Sequence, residues 1–447
     1  MSSPAQPANG WRFILRALRH RNYRLFFSGQ SLSLIGTWMT RIATGWLVYR
    51  LTGSAWMLGF IAFLGQIPAF VLVPFAGVWV DRWSRHRTLV WTQTLSMLQS
   101  VALAVLAFSG HITVWQIGVL SLAQGVINAL DIPARQAFLT EMVDDRADLS
   151  NAIALNSTMF NAARLIGPAV GGLIIAAFGE AWCFTIDGIS YGAVILSLLL
   201  MQIAAARPRR REEENLWREL AEGFTYVSGS VPIRSILLLL ALVSLVGMPY
   251  VTLLPIFASR IFHGGAHTLG LLMGSIGVGA LIAAFTMAAR QSILGLGRRI
   301  GLASLLFGAA IIAFGLSRNL ALSIAMLIAS GFAMMQLTAS SNTILQTISE
   351  PAKRGRVMGY FTMAFMGMTP IGSLLGGAVA ARFGAPRALA FSGILCALCA
   401  GIYFAVLPAI RRDLRPIYRE LGILPKIAPP IDPASPASTF VSDSTRK

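Results

Sequence analysis

Four charged residues stand inside otherwise apolar stretches of this 447-residue chain: Arg41, Asp131, Arg164 and Asp187. Such a charge is costly to desolvate, and where it persists it serves proton transfer, ligand binding or an ion pair. Asp187 follows Glu180 by seven residues, which places it ~10 Å along a helix starting there. Arg41 precedes Arg50 by nine, ~13 Å along its own helix. At similar depth, the carboxylate would be balanced between burial and the Arg41 charge. It could then take a proton from one side and release it to the other. Asp131 and Arg135 are four apart and share a helix face, with Pro133 between them expected to disturb that turn. Asp131 lies nearer a basic loop, where water makes a charge cheaper. The expectation is therefore Asp187 as proton site and Asp131 with Arg135 in a gate. A structural ion pair is the competing reading.

Other chemistry finds no support. There is no phosphate-binding glycine-lysine loop, zinc-protease signature or G-x-S-x-G elbow, so neither an enzyme nor ATP-driven transport is expected. Cys396-Ala-Leu-Cys399 has metal spacing but no further ligands nearby, and Cys183 is alone. Both read as packing residues. His263 and His267 offer only two ligands in a short loop, too few for a zinc site. No metal or cofactor is expected.

The elements that must position these charges are membrane helices. The chain is 55% hydrophobic and only 12% charged, with mean hydropathy +0.68, where a soluble protein would carry about a quarter charged residues. Apolar runs near the required ~20 residues predict twelve spans: 25–49, 56–79, 88–108, 114–136, 155–178, 181–202, 233–258, 267–289, 299–317, 320–344, 357–380 and 387–407. The start of the chain is polar and basic, so no cleaved signal is expected. The +18 net charge sits in loops between spans, which argues for orientation and anionic lipid rather than nucleic acid. Arginines crowd alternate loops, as at Arg82, Arg85 and Arg87, at 207–218, and from Arg411 onward. Both termini are therefore expected in the cytoplasm. The domain reading is a cytoplasmic segment 1–24, a six-helix half 25–202, a linker 203–232, a second half 233–407, and a largely disordered cytoplasmic tail 408–447. In the linker, Leu216, Leu220, Phe224 and Val227 predict one apolar face of an interfacial helix.

The halves repeat. Ile166–Gly179 aligns without gaps to Ile371–Gly384, and Arg50–Gly59 matches Arg260–Gly270 with one extra residue. Such duplication is expected of a transporter with two halves around a central site.

Three motifs carry a resemblance. Gly77-Val-Trp-Val-Asp81-Arg82-Trp-Ser-Arg85-His-Arg87 resembles the signature loop of the major facilitator superfamily between helices 2 and 3. Gly167-Pro168-Ala-Val-Gly171-Gly172 resembles the glycine-proline motif of its antiporters. Asp131 to Phe138 and Ala163 to Pro168 look most like the bacterial exporter subgroup that includes the enterobactin exporter and macrolide efflux proteins. Ser121 stands before Gln124-Gly125 where those antiporters commonly carry arginine, which puts a helix-4 arginine relay in doubt. The resemblance implies an all-α polytopic fold of twelve helices in two six-helix halves. It also implies a gating network around Asp81, which could accept from Arg135 or Arg164, or cap the start of helix 11.

A mixed apolar-polar cavity is expected from Trp38, Trp46, Phe63, Gln66, Asn128, Asn156, Phe257, Met334, Met335, Gln336 and Asn342, a lining that suits amphipathic solutes. The combined reading is a monomeric secondary transporter of a bacterial cytoplasmic (inner) membrane, exporting small amphipathic compounds such as drugs or siderophores against protons. A nutrient uptake symporter and a transport-dead sensor or scaffold are the alternatives.

Overall fold

The computed structural model describes residues 15–143, 145–202, 216–290 and 292–423, apart from the side chains of 73–82, 146–147 and 216–220. Twelve long helices run through the described residues: α1 Arg21–Thr52, α2 Ala55–Arg82, α3 Arg85–Phe108, α4 Val114–Phe138, α5 Arg146–Phe178 and α6 Glu180–Leu199, then α7 Val231–Ile261, α8 Ala266–Ala288, α9 Leu296–Leu316, α10 Leu320–Ile348, α11 Arg354–Phe383 and α12 Ala385–Glu420. A short linker helix, Leu216–Gly229, precedes α7. Eleven of the twelve are long and apolar enough to cross a membrane. The exception is α1, whose Gln30, Ser33, Thr37, Thr40 and Arg41 dilute its hydropathy. Gln30 and Ser33 are buried, so α1 turns polar groups toward protein rather than lipid. The outer surface is apolar, with Trp91, Ile189 and Phe285 each about 70% exposed or slightly more.

Several boundaries differ from the expectation. The signature stretch is not a loop: α2 continues through Arg82 and only Trp83 and Ser84 separate it from α3. Ser84 caps α3 by accepting from the Arg87 N–H, which lets so short a turn work. Pro133 does not break α4, which runs on to Phe138. The expected tail is helical as far as Glu420, with Pro408 and Pro416 inside α12. In the linker helix Val227 is buried but Phe224 is exposed, so the expected apolar stripe is divided. Leu216 and Leu220 lie among the side chains outside the described set.

Within the first half, α1 packs on α5 and α6, α3 on α4 and α6, and α2 on α4; in the second, α9 packs on α10 and α12, α8 on α10, and α7 on α11 and α12. Between the halves, α2 packs on α11 and α5 on α8. Both crossings are backbone to backbone. A Cβ on Gly172 would lie 2.8 Å from Gly270 Cα and 2.8 Å from the Ala266 carbonyl. A Cβ on Gly377 would lie 2.9 Å from Gly59 Cα and 2.8 Å from the Ala55 carbonyl. The sequence repeat aligns Gly172 with Gly377 and Gly59 with Gly270. The duplicated segments are therefore the two contacts that join the halves.

Both crossings lie toward the end of the bundle where α1 turns into α2 and α5 into α6. There Gly53 (φ 59°) and Gly179 (φ 92°) adopt conformations that disfavour any side chain. At this far end Arg260 of α7 donates to the Gly53 carbonyl (3.3 Å) and lies over Tyr49 of α1. At the opposite, basic end, Arg354–Thr362 packs on α7, α10 and the linker helix, where Arg356 pairs with Glu222 (2.9 Å). Among the described residues, α4 and α10 do not pack on one another. The two glycine crossings join the halves toward the far end.

Candidate functional site

The crossing of α1 and α5 forms the first cluster. Gly167 and Gly171 lie four apart on the face of α5 that meets α1. Gly167 fits against Trp38, and a Cβ at Gly171 would come 2.9 Å from Ile42. The glycine-proline motif thus serves two interfaces at once, Gly167 and Gly171 against α1 and Gly172 against the other half. Pro168 has no N–H to offer the Arg164 carbonyl four residues back.

With the backbones this close, Trp38 stands between two guanidinium groups. Arg41 Cζ is 5.2 Å and Arg164 Cζ 5.9 Å from its ring centroid. Phe160 meets the same indole edge-on at 5.9 Å. Arg41 is solvent-exposed and Arg164 half-buried. Arg41 donates only a long 3.5 Å bond, to Gln66 Oε1 of α2. Neither arginine has a carboxylate partner among the described residues. Each guanidinium is attracted to the indole face, which partly offsets their mutual repulsion.

The second cluster is a buried polar seam on α3. Thr88, Thr92, Ser96 and Ser100 recur every four residues, joined by Gln93 and Gln99, and all six are buried. Near the basic end, Asp131 Oδ1 accepts from Thr92 Oγ1 and Gln93 Nε2, both at 2.8 Å, while Arg135 pairs with Oδ2. Gln124 donates to Ser96 (3.1 Å) and to Asn128 (3.2 Å). Farther along, Ser100 Oγ donates to Asp187 Oδ2 at 2.8 Å. Asp187 is 1% exposed, and its Oδ1 has no hydrogen-bond partner. Thr37 and Thr40 of α1 stand beside it, yet neither closes a bond to Oδ1, and Thr40 Oγ1 is itself unpartnered.

Two expectations about these charges fail. Asp131 is not in a watery environment; it is 2% exposed, with both oxygens bonded. Arg41 does not face Asp187. A Cβ on Gly36 would lie 2.8 Å from Asp187 Oδ1, so Asp187 addresses the Gly36 face of α1. Arg41, five residues on, is rotated about 140° away at about 100° per residue.

The cavity expectation divides. Trp38 and Gln66 join the arginine cluster, and Asn128 joins the seam. Trp46, Phe63, Asn156, Met335 and Asn342 are half-buried, Asn342 accepting from Gln346. Phe257, Met334 and Gln336 do not line a cavity. Phe257 is fully buried against Phe314, 4.6 Å between ring centroids. Met334 is packed in the core. Gln336 is buried and donates to Thr286 of α8 at 2.7 Å. In the signature stretch, Arg85 pairs with Glu141 (2.8 Å) and Arg87 is exposed. Gly77, Asp81 and Arg82 are helical, and their side chains lie outside the described set, as does any Asp81 contact with Arg135 or Arg164.

The sequence reading overlooked Thr92, Gln93, Ser96, Gln99, Ser100 and Glu141. The four-residue spacing of small polar residues through α3 was the available signal. Among the described residues no cluster of three or more metal-ligating side chains occurs.

Residues 14–423 match a family described as transmembrane secretion effectors. The chain is 27% identical over 372 residues to a staphyloferrin A transporter of Staphylococcus aureus, covering 83% of this chain and 92% of that protein. It is 26% identical over 418 residues to macrolide efflux protein A of Streptococcus pyogenes (89% and 100%), and 25% identical over 404 to an enterobactin exporter of Escherichia coli (90% and 96%). Among solved structures, a bacterial homolog of the human lysosomal transporter Spinster, in an inward-facing and unoccupied conformation, superposes with a TM-score of 0.66 at 14% identity, covering 91% of this chain and 99% of that one.

Proposed function

The chain belongs to the transmembrane secretion effector family of the major facilitator superfamily, and from that premise we propose that it is a proton-coupled exporter of small amphipathic compounds in a bacterial inner membrane, working by alternating access as a monomer. The basic end is the cytoplasmic one and both termini lie there, because arginine-rich loops are retained on that side. The glycine crossings are then the closed external gate. Export, rather than uptake, is supported by the glycine-proline motif and by the efflux relatives.

The observation that carries proton coupling is Asp187. One oxygen is held by Ser100, and the other is bare beside Thr40. An unpartnered carboxylate oxygen that is fully buried is costly to keep charged, and a proton bound there removes that charge. Asp131, with both oxygens bonded, is the positioning carboxylate of a cytoplasmic gate with Arg135 and the Asp81 stretch. The test uses inside-out vesicles with an imposed pH gradient. Asp187→Asn should abolish gradient-driven accumulation while substrate binding persists. Full accumulation by Asp187→Asn would refute the assignment. If Asp131→Asn alone uncouples transport, the two roles are exchanged.

A further inference from the structure

We propose that the Trp38 cluster is an anion-binding substrate site, and that the ligand is a small amphipathic carboxylate. The proposal rests on the exporter reading only in taking this cluster as the place where cargo sits.

The duplicated half supplies an internal control. Aligning Arg50 with Arg260 is a shift of 210, and aligning Ile166 with Ile371 a shift of 205. These shifts carry Ile35 to Leu245, Met39 to Pro249, Gly167 to Gly372 and Gly171 to Gly376. The second half builds the same crossing with the same partners: Gly372 fits against Leu245 and Gly376 against Pro249. The shifts carry Trp38, Arg41 and Arg164 to Met248, Val251 and Thr369. The crossing therefore packs equally well with no cation. The arginines are not needed to hold the helices together, and another role must justify two charges placed within membrane spans.

Their surroundings specify what that role is. No acidic residue occurs in α7 to α11 or in residues 387–407 of α12. In the first half, Asp131 is bound to Arg135, Glu180 to Arg50 at the far end, and Asp187 faces the opposite side of α1. Among the described side chains, the two guanidinium groups thus share one indole with no counter-charge, and Arg41 is exposed. The cluster repels organic cations and attracts anions. A guanidinium fork matches a carboxylate in bidentate geometry. Trp38 and Phe160 add a π surface for an apolar or aromatic body.

The experiment is calorimetry on the full-length protein in lipid nanodiscs, with probes of matched shape: 2-naphthoate, neutral 2-naphthamide and cationic 2-naphthylmethylammonium, plus inorganic phosphate. Naphthoate should bind at least tenfold more tightly than the amide or the ammonium, and more weakly as ionic strength rises. Arg41→Gln and Arg164→Gln should each weaken naphthoate at least tenfold, and Arg→Lys at either position should weaken it less. Phosphate binding as tight as naphthoate would overturn the carboxylate assignment. Equal binding of the three naphthyl probes, preference for the ammonium, no naphthoate binding, or unchanged affinity in both Gln variants would overturn the proposal. If a Gln variant does not fold, the wild-type probe ranking and its salt dependence decide alone. Anion-selective binding without gradient-driven transport would refute the exporter reading and leave this site standing. Proton-driven transport of cations, unaffected by Arg41→Gln, would do the reverse.

Discussion

Asp131 and Asp187 are both buried carboxylates on one polar seam, yet they differ in how completely they are bonded. Asp131 receives Thr92, Gln93 and Arg135. Removing it takes the acceptor from Gln93 and from the charged Arg135, while Thr92 keeps the Leu89 carbonyl at 3.1 Å. Asp131→Ala should therefore destabilise the fold by about 3 kcal/mol, the lower end for a broken buried pair because Arg135 reaches some solvent. Chemical or thermal unfolding in detergent measures this, and a loss below ~1 kcal/mol would contradict the bonding pattern. Asp187 holds one bond and leaves one oxygen bare. An Asn there can still accept from Ser100 and can donate to Thr40, so Asp187→Asn should alter stability by less than ~1 kcal/mol. The contrast separates a structural carboxylate from one kept for chemistry. Arg85 with Glu141 is half-exposed, and Glu141→Gln should cost under about 1 kcal/mol.

At the level of elements, the glycine pairs determine how the halves meet. Gly172 with Gly270, and Gly59 with Gly377, put helix backbones in contact where any side chain meets backbone atoms rather than a flexible tip. Rotamer change cannot relieve such a clash, so the helices must separate. Gly172→Leu or Gly59→Leu should shift the population toward a conformation open at the far end. Spin labels near Gly53 and Gly264 would report a longer distance, by several ångströms for a crossing that loses backbone contact. An unchanged distance in a folded variant would show that the crossings do not act as a gate. By contrast, Gly192 and Gly401 have nothing within 4 Å of an added Cβ; Ala at either should leave the distance unaltered.

For the molecule as a whole, orientation rests on charge asymmetry and packing on the two crossings. Ser84 and Ser109 bound α3, a helix of 24 residues and so ~36 Å long, which exceeds a hydrocarbon core of about 30 Å. Both serines are exposed. Single cysteines placed there should label from opposite sides, Ser109→Cys from outside and Ser84→Cys only after permeabilisation. Labelling of both from outside would invert or break the topology. The same assay at Arg411, near the basic end of α12, should match Ser84.

The positions of the helices were legible in the chain because apolar length is a local property, summed over neighbours without regard to what they touch. The repeat was equally legible, and it contained the two crossings because both halves reuse one glycine at each. Facing was not legible. Successive side chains turn by about 100°, so two charges at the same depth, such as Arg41 and Asp187, can point to opposite sides of one helix. The same phase argument removes Phe257 and Gln336 from the cavity and gives them to Phe314 and Thr286. Hydropathy counts the seam on α3 as scattered polar residues; its partners come from α4 and α6, and only packing brings those helices together. The sequence by itself determined that charges stand in the membrane. The tertiary structure decided which are satisfied, which are bare, and which two share a tryptophan, because satisfaction depends on atoms tens or hundreds of residues away.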